Sequence, residues 1–399
     1  MKRLYESIFK DHFKQNNQMA FVSGPRQVGK TTAAQAFVKN GRYVNWDRQE
    51  DRMVLTKGPN RIAEKLEIER LTRTNPTVIF DELHKYSKWK SFLKGFYDAY
   101  KNRCHIVVTG SARLDTFKRG GDSLLGRYFS YRMHPFTVGE TLNQNTSTEV
   151  LHNPKKPDKL TMEQLYRFGG FPDPFSKANT RHHTRWTRTR RELLVREDVR
   201  DISNIHEIDQ MEVLANMLDF EAGGMLNYTH LTNDVNVSVE TIQRWITTLE
   251  SLYYCFLIKP WFKNVRKSLR KQPKVYLWDW SVIQDVGKRV ENFIASHLLK
   301  AVHYWTDMGF GNYGLHYLRD KLKREVDFLV VKDGVPWLLV EVKKSATQSL
   351  SPNLSYFQRV TGAQHAFQVT FEGDYVDRDC FEETRPTIVP AATFLSQLF

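Results

Sequence analysis

The chain has 399 residues, of which 41% are hydrophobic, enough for two or three domains with more than one core. No apolar stretch approaches the ~18 residues a membrane span needs, so a soluble protein with no membrane span is expected. Lys and Arg outnumber Asp and Glu by 59 to 45, a formal charge of +14, and such an excess favours polyanionic partners, nucleic acid before an anionic membrane surface.

The opening Met1-Lys2-Arg3-Leu4-Tyr5-Glu6 turns charged too soon for a secretory signal, so the expected compartment is the cytoplasm. Cys104, Cys255 and Cys380 are far apart, show no C-x-x-C spacing and lie in or near apolar runs, which reads as buried thiols rather than disulfides or zinc ligands. The first strong motif is Gly24-Pro25-Arg26-Gln27-Val28-Gly29-Lys30-Thr31, which fits G-x-x-x-x-G-K-[ST] at every specified position. It is entered from Met19-Ala20-Phe21-Val22 and leaves into Thr32-Ala33-Ala34-Gln35-Ala36-Phe37-Val38, predicting strand, glycine loop and helix. The glycines let backbone N–H groups turn inward, and the helix N-terminus adds partial positive charge where phosphates would lie. Gly24 to Thr32 is therefore the candidate cradle for ATP, with Lys30 on the β- and γ-phosphates and the Thr31 hydroxyl on Mg²⁺.

The next runs alternate in the α/β manner. A second strand is expected at Arg42 to Asp47, a charged helical region to about Arg73, and a buried strand at Thr77-Val78-Ile79-Phe80-Asp81-Glu82. An apolar strand that delivers acids at its C-terminal edge puts them where an open α/β sheet binds ligands. Asp81 would hold Mg²⁺ through water and Glu82 would orient or deprotonate the attacking water; taken alone, the two are also compatible with solvated carboxylates. His105 to Thr109 predicts a further strand ending in Gly110-Ser111, whose hydroxyl would lie beside the γ-phosphate. Arg127 is the candidate charge stabiliser, serving its own or a neighbouring subunit's site, and Tyr128 to Met133 reads as the last strand of the sheet.

Residues 141–160 are polar and proline-marked and read as a linker. After the turn Gly169-Gly170-Phe171-Pro172, the span Arg181 to Arg200 predicts an arginine-rich helix with a narrow buried stripe at Trp186, Leu193, Leu194 and Val199. It is either a solvated face or a phosphate-tracking surface. Ser238 can cap a helix whose apolar residues Ile242, Trp245, Ile246, Leu249, Leu252, Tyr253 and Phe256 follow 3.6 spacing, preceded by a helix-like Leu231 to Val235. That is helix-turn-helix spacing, yet only Gln243 and Arg244 face bases, so packing is an equal reading. Lys259, Lys263, Arg266, Lys267, Arg270, Lys271 and Lys274, interleaved with Trp261 and Phe262, read as a wing gripping backbone phosphate.

Beyond residue 274 lies a separate α/β unit. Glu291 is expected to begin a helix, followed by strands at His316 to Leu318, Val326 to Val331 and Val335 to Lys343. The order Glu291, Asp327, Glu341-x-Lys343 resembles the PD-(D/E)xK nuclease pattern, in which two carboxylates hold a metal and the lysine positions water. Glu341 and Lys343 share a face because they are two apart. A two-residue turn at Asp333-Gly334 would set Asp327 opposite Val340 and turn Glu341 away. A three-residue loop at 332–334 with Gly334 left-handed would set Asp327 opposite Leu339 and build a joint Asp327/Glu341 metal site, so that loop is expected. The alternative is a charged sheet face.

The ordered set Gly24 to Thr32, Phe80-Asp81-Glu82, Thr109-Gly110-Ser111, Gly126-Arg127, Gly169-Gly170-Phe171-Pro172, Lys274-Val275-Tyr276, Glu291-Asn292, Glu325-Val326-Asp327-Phe328 and Glu341-Val342-Lys343 resembles the AAA+ superfamily ATPases that carry a C-terminal DUF4143 domain. The resemblance implies an AAA+ P-loop core at 1–160, a helical lid at 161–205, a winged-helix segment at 206–273 and a restriction-endonuclease-like α/β domain at 274–399. It also implies ATP and Mg²⁺ as cofactors and homo-oligomers, including rings, in which Arg127 or another arginine acts across an interface. The function expected is an ATPase that binds DNA and couples nucleotide state to the nuclease-like domain, cutting or processing DNA there. The alternative is an ATP-dependent switch whose C-terminal domain docks DNA or a protein partner without cutting.

Overall fold

The computed structural model describes residues 2–38, 42–110, 124–143, 145–202, 205, 207–262 and 272–399. They fall into two compact units, Met1–His134 with Asn143–Thr146, and Pro135–Leu142 with Ser147–Phe399. Among the described residues no helix is long and apolar enough to cross a membrane. Cys104, Cys255 and Cys380 are free buried thiols.

In the first unit, β1 (Met19–Ser23), β2 (Arg42–Asn45), β3 (Thr77–Asp81), β4 (His105–Thr109) and β5 (Tyr128–Arg132) form one sheet in the order β2-β3-β4-β1-β5. Every neighbouring pair is parallel. β1 and β3 are buried along their whole length, which is why their sequences run continuously apolar instead of alternating. The helix Trp89–Tyr100 presents Trp89, Phe92, Leu93, Phe96 and Tyr100 to this core at helical spacing. Phe92 and Phe96 meet Phe80 edge to face at 5.6 and 5.1 Å, a geometry worth about 0.5–1.5 kcal/mol per pair beyond the area buried. Parallel pairing puts all five C-terminal strand ends on one edge, where the phosphate loop, Asp81 and Thr109 collect.

The second unit holds β6 (Cys255–Pro260), β7 (Lys274–Leu277), β8 (Tyr313–Arg319), β9 (Glu325–Lys332), β10 (Val335–Lys343), β11 (His365–Thr370) and β12 (Thr387–Pro390), in the order β12-β11-β10-β9-β8-β6-β7. Ahead of β6 come the helices Ile208–Glu221, Tyr228–Val235 and Val239–Ser251. Ser238 caps the last of these by accepting from Thr241 N, and Ile242, Trp245, Ile246 and Leu249 are buried. That helix stops at Ser251, short of the expected Phe256, because Tyr253 at φ +58° turns the chain into β6. β6 and β7 pair antiparallel. β6 also runs parallel to β8, so this hairpin is the edge of the C-terminal sheet and the expected division at 273 falls within one sheet.

The 22-residue helix Val286–Asp307 begins five residues before Glu291, at the Asp285 cap whose side chain accepts from Lys288 N; Glu291 therefore lies in its second turn and does not open it. At the β9–β10 hairpin the expected three-residue loop is not formed. Val335 pairs with Lys332 across a two-residue turn, with Asp333 at φ +50° and Gly334 at φ +83°, the positive pair that a type I′ turn demands. The register then shifts between Pro336 and Leu338, so that Leu338 faces Val330 and Val340 faces Phe328. Trp337 is the extra residue of a β-bulge. It reverses the face of everything beyond it and brings Glu341 opposite Asp327, the common face that the three-residue loop was expected to provide.

Lys300, on the same long helix, pairs with Glu140, and both are fully buried; its ammonium also donates to the Pro135 carbonyl at 3.0 Å. Removing one partner of a buried pair strands the other charge. Lys300→Met is expected to cost about 3–5 kcal/mol, read from denaturant midpoints, and adding Glu140→Gln is expected to restore part of the loss.

Candidate active sites

The phosphate loop owes its shape to left-handed backbone at Gln27 (φ +61°) and Gly29 (φ +96°). Gly29 caps the helix Lys30–Phe37, so the first free N–H groups of that helix open onto the loop. A Cβ on Gly24 would land on the Met133 carbonyl oxygen, and Gly24 sits at φ +154°. The Lys30 side chain is buried, its ammonium donating to the carbonyls of Gly24 and Pro25 at 2.9 and 2.7 Å. Arg3, which sequence reading passed over, is 4% exposed and donates to Val28 O and His134 O at 2.5 Å each. One guanidinium thereby ties the loop to the segment after β5.

Asp81 ends β3 and is 3% exposed. Three hydroxyls donate to it: Thr31 to Oδ2 at 2.8 Å, Tyr43 to Oδ2 at 2.7 Å and Thr109 to Oδ1 at 2.5 Å. Burial and the Asp81 carboxylate push the Tyr43 phenol well above its ordinary range. All three donors are neutral, so they orient the carboxylate without cancelling its charge. An anionic oxygen beside a threonine hydroxyl at a phosphate loop fits a hard divalent cation, and Lys30 with the loop backbone fits polyphosphate. Glu82 follows at φ +53°, a backbone region that costs a non-glycine residue about 1 kcal/mol or more. Burial raises its carboxyl pKa, against the pull of Lys30 and Lys85. The Arg127 guanidinium grips Asp98 at 2.8 and 3.1 Å. Ser111 lies outside the described residues.

The second cluster lies in the C-terminal sheet. Glu291, Asp327, Glu341 and Lys343 come together there, joined by Glu325, Lys274 and Tyr276. The Lys274 ammonium is 2.6 Å from Glu325, 3.3 Å from Glu291 and 3.7 Å from Asp327. Tyr276 OH donates to Glu291 Oε1 at 2.7 Å, Val342 N donates to Asp327 Oδ2 at 2.8 Å, and Lys343 donates to Glu341 Oε1 at 2.8 Å. Burial and then the Asp327 charge push both Glu291 and Glu341 up to about 7, and burial raises Asp327 as well. Burial works against charge on Lys274, but Glu291, Asp327 and Glu325 outweigh it and hold the ammonium protonated. Among the described residues no group of three or more His, Cys, Asp or Glu side chains is placed to hold a metal ion; Asp327 and Glu341, the expected metal pair, share this cluster with the ammonium groups of Lys274 and Lys343.

Lys274 was also expected in a phosphate-gripping wing; it is instead 4% exposed and faces acids. Residues 263–271, which carry most of that basic stretch, lie outside the described residues. On the helix Thr180–Leu193, Arg181, Arg185 and Arg188 are exposed along one stripe while Trp186 is buried. Arg190 stacks over the Phe171 ring at 4.1 Å and Arg191 pairs with Asp219.

Residues 16–142 match the AAA domain family, 159–289 a domain of unknown function (DUF8612) and 286–386 a domain of unknown function (DUF4143). An uncharacterized protein of Mycobacterium tuberculosis is 20% identical over 351 residues, 84% of this chain and 72% of that protein. One of Methanocaldococcus jannaschii is 23% identical over 334 residues, 79% and 72%. The Walker-type ATPase PABY2304 of Pyrococcus abyssi aligns over 70% of this chain and 93% of its own, with 14% identity and a TM-score of 0.41. The AAA match and the phosphate loop together support nucleotide binding and hydrolysis by residues 16–142.

Two outcomes are expected. Arg3→Ala, assayed by ATP titration, should raise Kd about tenfold, the loss of about 1.5 kcal/mol of charge-assisted contact to the loop, with Arg3→Lys intermediate. For Glu341 the folded pKa of about 7 exceeds the ordinary 4.5. Between those values the folded state binds a proton that the unfolded chain does not, so this contribution to stability is lost as pH rises from about 4.5 to 7. Melting temperatures across that window should fall more steeply for the native protein than for Glu341→Gln; parallel profiles would contradict the assignment.

Proposed function

We propose that this chain, an AAA-domain protein with a C-terminal DUF4143 domain, is a Mg²⁺-dependent ATPase that binds DNA and couples its nucleotide state to its C-terminal unit. The observation that carries the reading is the joining of Thr31, Asp81 and the Lys30 loop at one sheet edge. When bound, Mg²⁺ would neutralise phosphate charge. Thr31 and Asp81 would hold it, Lys30 and the loop N–H groups would hold the phosphates, and Tyr43 and Thr109 would keep the Asp81 carboxylate aimed. Glu82, in its partly desolvated position, would accept the proton of the attacking water. Arg127 would supply charge at its own or a neighbouring subunit's site in a homo-oligomer once released from Asp98, and Ser111 would contact the γ-phosphate.

Support for DNA as the partner is electrostatic: the net charge of +14 and the exposed stripe of Arg181, Arg185 and Arg188. In this reading residues 1–160 burn ATP, 161–205 form a lid, and 206–273 with 274–399 work on the nucleic acid. The second reading is an ATP-dependent binding switch whose C-terminal domain docks DNA or protein without cutting. One observation favours it for that domain, the Lys274 ammonium seated among the acids.

Hydrolysis measured with and without single-stranded, duplex and branched DNA tests the proposal. Lys30→Ala should lower the rate about 10²-fold or more, and at least one DNA form should change the native rate or bind with steep salt dependence. If DNA leaves both rate and binding unchanged, the nucleic-acid reading fails.

A further inference from the structure

The helices Thr180–Leu193 and Ile208–Glu221 line a groove of about 860 Å³, within the ~300–1,000 Å³ of ordinary ligand clefts. The first helix gives it Thr184, Thr187, Arg188 and Arg191, and the second gives it Glu212, Asn216, Asp219 and Phe220. Each set recurs at three- and four-residue spacing and so occupies one helical face. The acids of the groove are already answered: Asp219 pairs with Arg191, Glu212 with Arg196 at 3.2 Å and Glu192 with Arg188 at 4.0 Å. Arg181 and Arg185, which continue the stripe from Arg188 along the lip, are exposed and have no ion-pair partner among the described residues. The Lys288 ammonium, donating to the Phe220 carbonyl at 2.5 Å, adds a cation beside the second helix. Phe220 itself lines the groove yet is 71% exposed, so its ring is offered to solvent instead of to the core. What the groove leaves unanswered is therefore positive charge and an aromatic face, accompanied by the hydroxyl and amide groups of Thr184, Thr187 and Gln284.

We infer that this groove binds a single strand of nucleic acid, with a base stacked on the Phe220 ring and the backbone phosphates running along Arg181, Arg185 and Arg188. The inference rests on the proposal that the chain binds DNA and adds the form in which it is held. Charge alone suits a duplex and a single strand equally, and the aromatic ring decides between them. In a duplex each base face is covered by its neighbours, so an exposed ring has no base to meet; an unpaired strand offers a face at every nucleotide. The three arginines span about 10 Å along the helix axis, so a strand laid on them meets more than one phosphate. Because every base has a π-face, a strand held in this way is gripped with little regard to its sequence.

Fluorescence anisotropy of a labelled oligothymidylate with the full chain, in the absence of ATP, tests it. The native protein should bind that strand more tightly than a duplex of the same length at matched salt, and should bind a strand of abasic sites about tenfold more weakly. Phe220→Ala and Phe220→Leu should weaken oligothymidylate binding by the same factor and no longer tell it from the abasic strand, while Phe220→Trp keeps native affinity. Arg185→Ala should reduce the slope of log affinity against log salt by about 0.7, the share of one phosphate contact on a single strand, a slope that Phe220→Ala leaves unchanged. Native circular dichroism in each variant confirms that the fold is intact. A native chain that prefers duplex, or a Phe220→Ala chain that binds oligothymidylate as the native does, overturns the inference while the DNA reading stands. Native affinity in Phe220→Leu overturns it too, since an apolar contact without a ring would then suffice. A chain that binds neither strand nor duplex overturns both.

Discussion

A carboxylate taken out of water has to be met by donors or by positive charge, and the two units answer that demand in opposite ways. Asp81 is met by the hydroxyls of Thr31, Tyr43 and Thr109. Its oxygens are satisfied while its charge stays available, the condition for recruiting a cation together with a polyphosphate. Glu291, Glu325 and Asp327 are met by Lys274, which supplies the positive charge from the chain itself. A buried carboxylate is thus made ready for an external ion in one unit and balanced internally in the other.

That contrast explains why the phosphate loop and the nuclease-like pattern were not equally legible. A phosphate loop is local: its glycines, lysine and threonine lie within eight positions, and the backbone angles at Gln27 and Gly29 follow from that spacing. Asp81 was legible because an apolar strand delivers it, and the parallel order of β3, β4 and β1 then brings it to the loop. The acidic cluster is assembled from residues 274 to 343. The sequence carried Glu291, Asp327, Glu341 and Lys343 as site candidates, and Lys274, Tyr276 and Glu325 only as members of the wider motif set with no role in the cluster. Lys274 stood in a run of cations and read as one of them; nothing in a linear pattern distinguishes a buried lysine from a solvated one when the difference is made by partners seventeen or more positions away.

The β9–β10 hairpin shows where turn chemistry and pairing part company. Asp333-Gly334 is a strong two-residue turn signal, and it folds as one. A common face for Asp327 and Glu341 then needs an odd residue somewhere else, and Trp337 supplies it. That aromatic ring packs near Trp305, Tyr313 and Phe381, contacts that hold the bulge in place and that hairpin spacing alone does not reveal. Arg3 is a similar case at the other end of the chain: its partner Val28 is twenty-five positions away and is a backbone carbonyl, which leaves no side-chain signature to pair it with.

The bulge makes the strand's length a matter of parity. Between the turn and Glu341, substitutions alter packing around a fixed geometry, whereas the gain or loss of a single residue would swap inside for outside over the rest of β10. Relatives that keep an acid-x-lysine strand here should therefore differ in this stretch by even numbers of residues, or compensate an odd change with a second bulge. Counting residues from Asp327 to Glu341 would then report whether the two acids can meet, in chains whose sequences have otherwise drifted beyond recognition.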